Sequence, residues 1–221
     1  MLKTPKIQIM DWPRGKSFSQ RQLNSQKMSE PRMSTAICHL LLAGSSAWTC
    51  RTLHNAGQIQ WAYGTLGLYF AKSVVGILRY GNRYGYEIAS LYNFVEMWSI
   101  AIGIPFIASD LYFLLHYSYS LSIFHAFLGF VLVAGIVIGT HYMILSYLSL
   151  ILIGSLLSVV VVGFLNENYW AMAGALSYSV NLYGIKHHGT IGRVPSVDLY
   201  TVGLCFFNYF IYKALTDVSI F

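Results

Sequence analysis

The sequence predicts an all-α integral membrane protein, a helical bundle of about seven transmembrane helices with no soluble domain. Three observations carry that expectation. Residues 111–166 form a run of 56 residues without one Asp, Glu, Lys or Arg. A charge at the centre of a bilayer costs about 2.5–3.5 kcal/mol even on lenient insertion scales, so a run of this kind suits a hydrocarbon solvent. About 20 helical residues cross a core of about 30 Å, so the run holds two spans and a turn. The composition agrees: 56% of the residues are hydrophobic and 10% are charged, against roughly 25% charged in a globular domain. Finally, the apolar segments lack the alternation of ten-residue β-barrel strands.

Two regions follow. Residues 1–32 read as a disordered, basic cytoplasmic tail, and residues 33–221 as the seven-span transmembrane domain. Lys3, Lys6, Arg14, Lys16, Arg21, Lys27 and Arg32 are half of the 14 Lys and Arg residues, set against only Asp11 and Glu30 in the tail. The net charge of +6 is therefore mostly that of a tail and not of a folded basic face, and no nucleic-acid partner is expected. A basic N-terminus also suits a mitochondrial presequence. Pro5, Pro13 and Pro31 and the lack of an amphipathic Arg helix weigh against one. The span lengths suit the endoplasmic reticulum and the plasma membrane equally.

The apolar segments fall at about 34–50, 57–78, 88–109, 119–138, 143–165, 169–185 and 198–215. With the N-terminus in the cytoplasm, Arg79, Arg83, Lys186 and Arg193 lie on the tail's side, so 11 of 14 basic residues sit inside. Lys72 snorkels to the same side. Arg51 and Lys213 fall outside. This is the positive-inside pattern for an N-in, C-out chain. Gly135 and Gly139 form a GxxxG in the fourth segment, and Gly174 lies among alanines in the sixth. Such small faces let helices approach closely, within one chain or between two copies.

Charged residues inside spans are functional candidates, because lipid exposure is so unfavourable. There are two, Lys72 in the second segment and Glu96 in the third. Both belong to the inner half of neighbouring antiparallel spans, so an ion pair is the simplest way to neutralise them. Asn93 and Ser99 flank Glu96 at i−3 and i+3 and extend a polar stripe that either lines a cavity or satisfies Glu96. Gly103 and Pro105 are expected to break the third span near its outer end.

The seven histidines offer no metal pattern. His187 and His188 are adjacent, so their side chains diverge, and His116 and His125 are nine apart, which does not share a helix face. Asp110 and His116 flank one outer loop and are close enough in sequence to meet. A Ser/His hydrolase would pair Ser45 or Ser46 with His125, but nothing in the sequence fixes that geometry. Cys38, Cys50 and Cys205 lack metal or disulfide spacing and read as small buried hydrophobes.

Three stretches resemble one family. Met33 to Leu42, Trp98 to Asp110 with Gly103 and Pro105, and Asn166 to Gly174 are similar to the first span, third span and glycine-rich sixth span of the animal transmembrane protein 276 family. The likeness runs in order over the apolar core, and the tail has no counterpart in it. It implies a small multi-pass membrane protein without an assigned biochemical role, and it carries no catalytic or binding residue over to this chain.

The leading functional expectation is a structural or interaction role in a membrane, with no enzymatic activity and no metal or cofactor. Its expected partners are the lipid bilayer and a membrane protein or second copy of the chain. The alternatives are a small-molecule or lipid carrier with its site at Lys72 and Glu96, and a membrane-embedded lipid hydrolase that depends on histidine.

Overall fold

Along much of the chain polar residues face inward and large apolar residues face outward, and this inversion organises the fold. The computed structural model describes residues 32–54, 59–138 and 143–218. The expected tail, apart from Arg32, lies outside them. The described residues form seven α-helices in order: α1 Met33–His54, α2 Ala62–Gly81, α3 Ala89–Leu114, α4 Tyr119–Ile138, α5 Met143–Leu165, α6 Tyr169–Ser179 and α7 Ser196–Val218. A π-helical turn, Val180–Ile185, extends α6. A short hairpin, β1 Thr190–Ile191 and β2 Val194–Pro195, leads into α7 with Ile191 opposite Val194. Its two-residue turn takes Gly192 to a φ of 64°, which a side chain would resist. Among the described residues the fold is all-α apart from this hairpin.

α1 shows the inversion best. Thr35, His39, Leu42, Ser46, Thr49 and Leu53 are buried at alternating steps of four and three, while Ile37, Leu40, Leu41 and Trp48 are exposed. α2 likewise buries Thr65, Lys72 and Ser73 and exposes Phe70, Val74 and Leu78.

α3 is the hub and packs against α2, α4, α5 and α7. Every residue from Ser99 to Leu111 is buried, as expected of a helix that is apolar on all sides. Among the described residues α3 is the one helix long and apolar enough to cross a membrane. Two shorter apolar stretches, Tyr119–Gly135 and Ser149–Leu165, lie in α4 and α5. About seven spans were expected, the first of them short and only moderately apolar. The inward polar stripes of α1, α2 and α7 lower their hydropathy, and α6 gives way to the π turn after 11 residues.

Polar side chains join most neighbouring helices. Asn208 on α7 donates to Ser45 and Ser46 on α1 at 3.1 and 3.0 Å. Thr35 donates to Asp198 at 2.6 Å across the same pair. Ser109 on α3 and Ser122 on α4 each donate to the other's carbonyl, at 2.8 and 2.9 Å. Asn168 accepts the Ala171 amide at 3.0 Å, capping α6, and donates to the Ala214 carbonyl of α7 at 2.8 Å. Bonds of this kind satisfy polar groups that the helix packing buries.

Two expectations need correction. α3 runs unbroken through Pro105 to Leu114. Proline removes one backbone donor, and neighbouring hydroxyls support the carbonyls around it. Thr65 donates to Gly103 at 3.2 Å and Tyr178 to Ile100 at 3.3 Å. Asp110 does not meet His116. It turns to α2, whose first residues bring no side-chain cap. Its carboxylate accepts the amides of Gln60, Trp61 and Ala62 at 3.3, 3.2 and 2.6 Å, satisfying donors that a helix start leaves open.

Of the packing glycines, Gly174 stands where a Cβ would meet Ile211 Cδ1 at 2.9 Å, so it lets α6 and α7 approach. Gly135 is half-buried, and Gly139 lies outside the described residues. Equally close or closer approaches occur at glycines the sequence did not mark. Phe106 fits between Gly64 and Gly129, where a Cβ would lie 2.9 and 3.0 Å from its ring. A Cβ on Gly76 would press on the His39 ring at 2.6 Å.

Candidate functional site

The end of the bundle that holds the start of α1 brings together the close of α2, the first half of α3, the loop after the π turn and the start of α7. Lys72 reaches this region from α2 and is fully buried, with 0% side-chain exposure against 20% for Glu96. Its Nζ lies 3.3 Å from Glu96 Oε1. No acceptor stands in hydrogen-bonding alignment with that Nζ, so the pairing is ionic. Lys186 Nζ lies 3.6 Å from the same carboxylate oxygen. One carboxylate is thus shared by two ammonium groups.

Tyr200 on α7 underlies both. Its ring centroid is 4.4 Å from the Lys72 ammonium and 5.4 Å from that of Lys186, distances at which a ring face attracts a cation. Burial holds the Lys186 ammonium below the usual lysine range, and the Glu96 charge returns part of that shift.

Asn93 and Ser99 take separate roles. Asn93 Oδ1 accepts from Arg79 Nη1 at 3.0 Å, and Ser99 donates to the Glu96 backbone carbonyl at 2.7 Å. Neither side chain satisfies the Glu96 carboxylate. A helical serine readily reaches back to a carbonyl one turn earlier, which explains Ser99. The Arg79 guanidinium lies 5.1 Å from the Tyr80 ring centroid and 4.7 Å from that of Tyr92. Beneath them is His39, whose Nε2 is 3.3 Å from the Tyr92 hydroxyl and whose ring stacks with Tyr80 at 5.7 Å.

A pocket of about 210 Å³ opens among these groups, walled by Arg79, Tyr92, Asn93, Glu96, Lys186 and Tyr200 with two further residues. Reasoning from the sequence missed Lys186, Arg79 and Tyr200 as members. Lys186 counted only as a loop charge on the inner side, and Tyr200 carried no signal beyond its aromatic type.

A second cleft, about 630 Å³, lies at the opposite end between the α3–α4 connection, the α5–α6 connection and the close of α7, with His116, Glu167 and Asp217 in its wall. His116 and Glu167 adopt φ of 57° and 55°, a region non-glycine residues seldom occupy.

The hydrolase alternative also gains a defined geometry. His125 does not approach Ser45 or Ser46, which bond to Asn208. Its Nε2 instead lies 3.1 Å from Ser158 Oγ, and Tyr112 bonds that hydroxyl at 2.7 Å. His125 Nδ1 is buried without a hydrogen-bond partner. The third group that orients a catalytic base in a triad is thus missing at this dyad, and the trio serves to join α3, α4 and α5. Among the described residues no three His, Cys, Asp or Glu side chains gather as a metal site.

Comparison with known proteins finds no matching family model, no matching curated protein and no matching solved structure.

Proposed function

We infer that this chain is a multi-pass protein of seven spans with its N-terminus in the cytoplasm, and that it acts by binding and interaction without catalysing a reaction. The inversion of its helices carries the reading. α1 buries Thr35, His39, Ser46 and Thr49 and exposes Ile37, Leu40 and Leu41. Phe124, Phe127, Phe130, Leu157, Val161 and Phe164 are exposed on α4 and α5. A surface of this kind is unfavourable against water and natural against acyl chains. The short likenesses to the transmembrane protein 276 family support the same class.

The positive-inside count supports the orientation. A glycosylation acceptor fused after Phe221 is expected to be modified in microsomes, while one placed in the 82–87 loop is not. The reverse pattern would overturn the N-in arrangement.

A second reading is favoured by one observation. The pocket reaching Glu96 suits a small-molecule or lipid carrier with its site at Lys72 and Glu96. On this reading the pocket stays open to water at the inner face.

A further inference from the structure

We propose that the pocket beside Glu96 binds a phosphate-type oxyanion, with Arg79 and Lys186 as its direct ligands and Lys72 behind them. The inference rests on the second reading above, that this pocket is a binding site.

Charge is the first argument. Lys72, Lys186 and Arg79 bring three positive charges to the region, and Glu96 brings one negative. Three minus one leaves a surplus of two positive charges around a pocket of about 210 Å³. The Glu96 carboxylate is already shared by two ammonium groups, so it does not offer a free site to a cation. Lys72 Nζ, fully buried and without an aligned acceptor, retains donor capacity at the back of the cluster.

Geometry is the second. A guanidinium has five donors in a rigid fork suited to two oxygens of one phosphate. Arg79 uses Nη1 on Asn93 at 3.0 Å. The Tyr80 and Tyr92 rings, at 5.1 and 4.7 Å, flank it and restrict its plane before any ligand arrives. Such pre-organisation lowers the entropy lost on binding. The starts of α3 and α7 also face this end, with Tyr92 and Val197 in the wall, and helix starts favour negative charge. Asp198 in the first turn of α7 opposes that field, and it is engaged by Thr35 at 2.6 Å.

Size is the third. Sites for drug-sized ligands occupy about 300–1,000 Å³, and this pocket is smaller. Val197 is its one aliphatic wall residue, so it does not suit an acyl chain. It suits a compact charged group, either a free phosphate or the phosphate of a lipid headgroup.

The test uses the full chain in phosphatidylcholine nanodiscs and a water-soluble amine-acylating reagent, with the extent of reaction at Lys186 read by peptide mass spectrometry. Lys186 is expected to react. Adding inorganic phosphate, or replacing part of the phosphatidylcholine by phosphatidate, is expected to slow that reaction about tenfold once the probe is near ten times its Kd. Protection by inorganic phosphate identifies a site for the free ion. Protection by phosphatidate alone identifies a headgroup site. Protection by neither, with Lys186 still reactive, overturns the oxyanion assignment and leaves the pocket as a binding site for something else. A Lys186 that never reacts shows a closed pocket and overturns the binding reading along with it. Arg79→Gln is expected to abolish the protection, and undiminished protection in that variant contradicts its role. Glu96→Gln is expected to raise the thermal stabilisation given by phosphate, since it removes the carboxylate that competes for both lysines. A cation site would respond in the opposite sense.

Discussion

Asp110 on α3 accepts the Ala62 amide of α2 at 2.6 Å, so one helix supplies the cap that the other lacks. The three backbone donors of residues 60–62 converge on that one carboxylate. Asp110→Ala is therefore expected to cost about 1–2 kcal/mol, the upper range for loss of a helix cap. Asp110→Asn keeps one acceptor oxygen and should lose less. Melting temperatures in a fixed detergent measure both, and an unchanged melt for the alanine variant would remove the cap from the account.

The shared carboxylate makes the Lys72–Glu96 pair asymmetric. Lys72→Met leaves Glu96 with Lys186 at 3.6 Å. Glu96→Gln leaves Lys72 fully buried with no counter-charge, and stranding a buried charge costs about 3–5 kcal/mol. The glutamine variant should thus be clearly less stable than the methionine variant when each is melted without phosphate. Equal losses, or the opposite order, would mean that Lys186 does not stand in for Lys72.

Two glycines inside helices, Gly76 on α2 and Gly44 on α1, should respond with opposite signs. A Cβ on Gly76 would meet the His39 ring at 2.6 Å, whereas a Cβ on Gly44 meets nothing within 4 Å. Gly76→Ala is expected to destabilise by about 1–3 kcal/mol through overpacking. Gly44→Ala is expected to stabilise by about 0.5–1 kcal/mol, because it removes a helix-interior glycine. Thermal melts of the two variants side by side decide the matter; a shared sign would show that backbone entropy or lipid contact outweighs the Gly76 approach.

His187 provides a pH dependence outside the apolar helices. Burial, and then the Lys186 and His188 charges, hold it below the ordinary histidine range. The unfolded chain therefore takes up this proton at a higher pH than the folded one. Stability from this group is complete above about pH 6.5, the ordinary value, and declines as pH falls toward the lower folded value. His187→Gln should flatten the decline on the acid side without changing stability at pH 8. An unaltered acid slope would show that His187 titrates as in the unfolded chain.

The helices were legible because each is an apolar stretch bounded by polar or turn-forming residues. α4 and α5 begin and end where the apolar segments do. α2 begins later than its apolar segment, at Ala62, because Asp110 sets its start from another helix. No local pattern in the sequence shows that cap. At the site, Lys72 and Glu96 stand out as charges within apolar segments, and the structure places them 3.3 Å apart. Lys186 escapes because its approach depends on the π turn. His125 with Ser158 escapes because residues 33 apart on different helices carry no joint signature. The same holds for Gly76 and His39, whose fit is a matter of surface shape alone.

The π turn has its own consequence. The Lys186 amide bonds to the Asn181 carbonyl five residues back, at 3.0 Å, where an α-helix would reach back four. One additional residue in a turn advances the helical phase of everything after it by about 100°. The segment from Tyr169 to Lys186 is thus written in two phases, one that sets Ala171 and Gly174 against α7 and one that sets Lys186 toward Glu96. Removing a single residue between 180 and 185 would restore one phase and carry the ammonium away from the carboxylate. The position of that charge depends on a dislocation in the helix as much as on the lysine itself.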